Sequence, residues 1–199
     1  MPQLIAMIIV VVGALIYMFQ TFGGTGDKIE GIAQKTSVMT EIANVKNGVQ
    51  LALRAGDIKA GTTMKDLADL GYFAQQMNDE ISDNTGAGTT NGKLNTYSAI
   101  SFGGEANPSM LINLITPTAA DADARPGIRV ALIGTLDGNK AFLESQISND
   151  LSAVADIDRE SDDAGHEKTM PTTTAKQDDG VLTVYYKDLP TGYITTETE

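Results

Sequence analysis

Residues 4–19 read LIAMIIVVVGALIYMF, and no charged side chain appears before Asp27. A helix built from this run has no polar side to offer water, so it requires lipid or a partner of its own kind. Crossing ~30 Å of hydrocarbon takes ~20 mostly apolar residues, and residues 2–22 supply that length, with Gln3 and Gln20 near the ends. The run is followed by Gly23, Gly24, Thr25 and Gly26. Each glycine costs a helix interior up to ~1 kcal/mol relative to alanine, so Gly23, Gly24 and Gly26 predict a hinge.

Beyond the hinge, Ile29, Ile32, Thr36, Met39, Ile42, Val45 or Lys46, Val49 and Leu53 return at intervals of three or four. That spacing predicts an amphipathic helix over residues 27–55 with one side covering apolar structure. Gly56, Asp57 and Gly61 mark its end. Thr62 or Thr63 is positioned to cap a short helix through Met64, Lys65, Asp66 and Leu67, closed by Gly71. Residues 96–102, 110–116 and 127–134 read as strands, and residues 78–95 and 119–126 as surface loops. Residues 134–138 turn into a helix over 139–151, where Ala141, Phe142, Ile147 and Leu151 share a face. A polar tract, 156–179, precedes a last strand at 181–187.

The expected class is therefore α+β: a long N-terminal α-helix, apolar then amphipathic with a glycine break between, packed on a C-terminal antiparallel β-sheet domain. Residues 1–26 form the apolar transmembrane or filament-core helix with its hinge. Residues 27–199 form one globular domain, a size that can bury a modest core.

Composition narrows function. A net charge of −12 repels a phosphate backbone, so no nucleic-acid partner is expected. Cysteine is absent and His166 is the single histidine, which removes thiolate catalysis, disulfides and the usual zinc sites. No nucleophile elbow or metalloprotease motif occurs, and Gly134 to Gly138 lacks phosphate-loop spacing, so no enzyme is expected. Asp156, Asp158, Glu160, Asp162 and Glu167 fall at the first, third, fifth, seventh and twelfth places of a calcium-loop pattern. Ser161 stands where the sharp turn of such a loop takes glycine, so a solvated acidic loop competes with a Ca2+ site.

A charge-free apolar start, a glycine break in the low twenties, an amphipathic continuation to about residue 55 and then antiparallel strands resemble the type IV pilin family. The segment Asn44, Val45, Lys46, Asn47, Gly48, Val49, Gln50, Leu51, Ala52, Leu53 looks like the end of the long helix in the type IVb branch. The resemblance implies that a prepilin peptidase removes a basic leader ahead of Met1, which accounts for the missing Lys or Arg before the apolar run. It implies an inner-membrane stage, handling by the pilus assembly machinery, and a final homopolymeric extracellular filament. The filament core would comprise Leu4, Ile5, Ile8, Ile9, Val12, Gly13, Leu15, Ile16 and Phe19, with Gly13 allowing close approach of helices. One departure stands out: Ile5 occupies the place where the family usually carries glutamate. From a different class, a membrane-anchored periplasmic or extracellular binding module needs the same anchor without the hinge.

Overall fold

The computed structural model describes residues 31–82, 94–99, 108–116, 125–159, 178–187 and 189. Its longest element is helix α1, residues 31–55, ~37 Å long at 1.5 Å per residue. Val38, Ile42, Val45, Val49, Ala52 and Leu53 are buried along one side of α1 and join a single apolar cluster with the sheet. The stripe read from the sequence holds from Ile42 onward and fails before it. Ile32 is 59% exposed, Thr36 is exposed and Met39 is half-buried, whereas Val38 faces the core. The reason is angular: at about 100° per residue, Ile32 and Thr36 stand 120° or more around the helix from Val38. Helix α1 ends as expected at Gly56, whose φ is +81°. The Gly56 N–H donates to the Leu53 carbonyl (3.2 Å) and the Asp57 N–H to that of Ala52 (3.1 Å), a paired closure that only a left-handed residue permits cheaply.

Two short helices pack near the C-terminal half of α1. Helix α2, Met64–Asp69, is capped by Thr63, and the Asp66 side chain in turn accepts from the Thr63 N–H at 2.8 Å. Helix α3, Gln75–Ser82, corrects the expectation of loop from residue 78. Asn78 reads as a turn former, yet it is buried. Its amide donates to the Phe73 carbonyl (2.8 Å) and accepts from the Phe73 N–H (3.2 Å), fixing the bend between α2 and α3. That bend seats the Phe73 ring on α1 at Gly48. A Cβ there would lie 2.4 Å from the ring, so glycine is what allows the contact.

Five antiparallel strands follow: β1 Thr96–Ala99, β2 Met110–Ile115, β3 Gly127–Leu132, β4 Asp156–Asp158 and β5 Val181–Tyr185. Their order in the sheet is β1-β2-β3-β5-β4. Register puts Tyr97, Ile112, Val130 and Leu182 in one row, all buried in the core with α1. The adjacent row on the opposite face is polar across all five strands: Thr96, Asn113, Arg129, Thr183 and Asp158. Strands β2, β3 and β5 close earlier than expected, and β4 falls inside the stretch that reads as a polar loop. Its acidic side chains hide a backbone that pairs fully with β5, Asp156 opposite Tyr185 and Asp158 opposite Thr183.

Between β3 and β4 the chain makes a 3-10 turn, Gly134–Asn139, and helix α4, Lys140–Leu151. The buried side of α4 is Leu143, Ile147 and Leu151, spaced by fours. Ala141 and Phe142 do not share it. Ala141 is exposed, and the Phe142 ring, 43% exposed, lies beside Gly31 of α1.

Candidate functional site

The outward side of α1 differs from the rest of this acidic chain. Its exposed positions between residues 31 and 53 carry no charge. Ala33, Thr36, Ser37, Thr40 and Ala43 are small, Asn44 and Asn47 are neutral amides, and Ile32 and Leu51 are apolar, the latter 55% exposed. Charged groups lie at its flanks, where two are already engaged. Lys35 pairs with Asp150 of α4 at 2.7 Å, and Glu41 accepts the Tyr97 hydroxyl at 2.9 Å.

The hydroxyls on this side are also internally satisfied. Thr36 donates to the Ile32 carbonyl (3.1 Å), Ser37 to that of Ala33 (3.3 Å) and Thr40 to that of Thr36 (2.8 Å). Burying a hydroxyl is costly when it loses its water without replacement, and these bonds into the helix backbone are the replacement. A helix side that is small, uncharged and self-bonded can therefore be covered by an apolar surface at low desolvation cost.

The flank at Glu41 carries unusual acid chemistry. Glu80 of α3 has its carboxyl pushed above the usual range, first by burial and then by the neighbouring Glu41 carboxylate. The Tyr97 phenol is pushed up by burial, by its hydrogen bond to Glu41 and by the charges of Glu41 and Glu80. This seam joins α1, α3 and β1.

The acidic stretch is divided between engaged residues and residues not described. Asp156 and Asp158 sit two apart on β4, on the same face of the sheet. The Arg125 guanidinium, 2.7 Å from Asp156, holds that carboxyl below the usual range, and Lys187 at 3.4 Å adds to the effect. Arg125 also lies 5.7 Å from the centre of the Tyr185 ring. The Asp156 carboxylate is thus already neutralised by two cations. Glu160, Asp162 and Glu167 lie outside the described residues. Among the described residues no three metal-ligating side chains cluster.

Nearby stands a group that the sequence does not reveal. Glu144 of α4 is fully buried, and its carboxylate accepts from Arg159 Nε (2.8 Å), from the Asp178 N–H (3.2 Å) and from the Gly180 N–H (2.8 Å). Arg159 Nη2 reaches Asp178 at 2.9 Å. The clamp holds together residues 159 and 178–180, and with them a turn where Asp178 has φ +72°. In a chain without cysteine it ties β4, β5 and α4 by charge-assisted bonds. The partners are far apart in sequence, so spacing gives no signal for it.

The residues read as filament core, Leu4, Ile5, Ile8, Ile9, Val12, Gly13, Leu15, Ile16 and Phe19, lie outside the described residues, as do Met1 and the hinge glycines Gly23, Gly24 and Gly26. No helix among the described residues is long and apolar enough to cross a membrane. Compared with protein-family models, with curated proteins and with solved structures, the chain matches none.

Proposed function

We propose that this chain is the structural subunit of an extracellular helical filament of the type IV pilus kind, held in the inner membrane by residues 4–19 before it assembles with copies of itself. The observation that carries the reading is the outward side of α1: in a chain of net charge −12 it carries no exposed charge over residues 31–53, and its hydroxyls bond inward. Water does not require such a surface, whereas an apolar helix from another copy does. The apolar run 4–19 would supply a helix of that description. Each such contact hides apolar area worth ~25 cal/mol per Å2, so several hundred Å2 per neighbour contributes several kcal/mol before ordering costs. The α+β domain, with its acidic loops, would form the filament exterior. On this reading prepilin peptidase and the pilus assembly machinery handle the chain first.

Filament formation, followed by electron microscopy of material sheared from cells, tests this with paired variants. Thr40→Glu places a charge on the outward side of α1, and Ile9→Asp places one in the apolar run. Both are expected to leave the domain folded and to abolish filaments, while Thr40→Val preserves them. Normal filaments from Thr40→Glu would remove α1 from the assembly surface, and normal filaments from Ile9→Asp would remove the apolar core. A wild-type chain that stays in the membrane fraction as a monomer would favour an anchored binding module.

A further inference from the structure

Helix α4 meets the start of α1 crosswise. The Asn139 amide, just before α4, donates to Gln34 Oε1 at 3.0 Å, and Asp150 near its other end pairs with Lys35 at 2.7 Å. A helix of 12 residues is about 18 Å long, so contact from both ends with adjacent α1 residues means that α4 crosses α1 rather than following it. This end of the domain presents Ile32 and Phe142, two of the large apolar side chains that the chain leaves exposed. The Phe142 ring would lie 3.3 Å from a Cβ at Gly31, so it is shelved directly against the first described residue of α1.

Among the described residues the charges here are largely paired, with Asp179 as a second carboxylate near Lys140. Lys140 pairs with Asp137 (2.8 Å), Lys35 with Asp150, and Glu144 is buried in its clamp. Ser145, Gln146 and Asn149 supply the remaining outward surface of α4 and are neutral. In a chain of net charge −12, this end sets two apolar side chains among mostly paired charges, which zwitterionic headgroups meet with little repulsion.

The chain outside the described residues fixes what lies next to it. The apolar run stops at Phe19, and residues 20–30 would span ~17 Å as a continuous helix and at most ~40 Å fully extended. Gly23, Gly24 and Gly26 permit a bend that brings the α4 end closer still. Because a tether this short keeps the surface at high local concentration, two apolar side chains suffice for contact. We propose that, before assembly, Ile32 and Phe142 dock the α4 end of the domain into the headgroup region of the bilayer, setting the tilt of the domain on the membrane. This rests on residues 4–19 being membrane-inserted, as proposed above.

The chain contains no tryptophan, so a single introduced one is a clean reporter. The full chain is reconstituted in phosphatidylcholine vesicles with brominated acyl chains, carrying Phe142→Trp, Leu70→Trp or Tyr17→Trp. Leu70 is 62% exposed but belongs to the α2–α3 end, so it controls for simple adsorption of an apolar side chain. Phe142→Trp fluorescence is expected to fall by about half relative to unbrominated lipid, with Leu70→Trp unchanged and Tyr17→Trp strongly quenched. Phe142→Trp unquenched beside a quenched Tyr17→Trp overturns the proposal; a blue shift appearing only as chains associate would assign the surface to a second copy. Equal quenching at positions 142 and 70 also overturns it. An unquenched Tyr17→Trp overturns the membrane reading beneath it, so the two failures are distinguishable. Ile32→Trp gives the same readout should Phe142→Trp fail to show native circular dichroism.

Discussion

The two long sides of α1 run the same length in opposite chemistry. The inward side is Val38, Ile42, Val45 and Val49, all with no exposed surface, closed against the sheet. The outward side is Ala33, Thr36, Ser37, Thr40 and Ala43, exposed and uncharged. Branched side chains fill a fixed gap, and their identity is set by the volume of that gap. Small side chains with self-bonded hydroxyls fill nothing; they let another surface approach. The inward side therefore governs whether the domain folds, and on the proposed reading the outward side governs what the folded domain meets.

That division is tested most severely at Ile42. Ile42→Ala removes fully buried methylenes from the core that α1 shares with the sheet, at an expected cost of ~3 kcal/mol. Urea unfolding of the full chain in detergent, followed by circular dichroism, measures it. A loss below ~1 kcal/mol, the ordinary scale of a surface change, would mean that the inward side is not the core. At the seam between the two sides, Tyr97→Phe removes the hydroxyl that donates to Glu41 at 2.9 Å and is expected to cost ~1 kcal/mol in the same assay. On the outward side, Ala43→Lys is expected to shift stability by no more than ~0.5 kcal/mol, since the position is exposed and lysine is a good helix former. A large loss at Ala43 would erase the distinction between the sides.

What could be read without coordinates follows the same division. The second half of α1 was legible because Ile42, Val45, Val49 and Leu53 repeat at helical spacing. The first half misled because Ile32 is apolar and points outward, and apolar identity alone does not separate a core face from an exposed one. Apart from β4, the strands were legible as short apolar runs between turn formers, as in Met110–Ile115. Helix α3 was not, because Asn78, Asp79 and Ser82 favour turns in isolation, and Met77 and Ile81 are too few to set a period. Strand β4 was hidden by its aspartates, of which Asp156 has its charge offset by Arg125 and Lys187 from distant positions. The Glu144 clamp could not be read at all, since its partners come from three separate stretches. The outward side of α1 had a signal that periodicity ignores: the run of uncharged small residues in a strongly acidic chain.

The smallest expected effect lies at the seam, where a proton decides it. Glu80 has its carboxyl pushed above the ordinary glutamate value of 4.5 by burial and then by Glu41. A raised value in the folded state means that the protonated form favours the fold: this contribution is fully present below the ordinary value and is lost as pH rises through the folded one. Glu80→Gln keeps the side chain neutral throughout. Its melting temperature is therefore expected to exceed that of the wild type modestly at neutral pH, and to converge with it below pH 4.5. Asp156 runs the other way in both proteins: held low by Arg125 and Lys187, it stabilises the fold above its ordinary value and stops doing so as pH falls through its lowered one. Because that loss is common to wild type and variant, it cancels in the difference between their melting curves. What is left is the raised Glu80 carboxyl, from burial and then from Glu41, and an equal offset at every pH would show that the fold does not raise it.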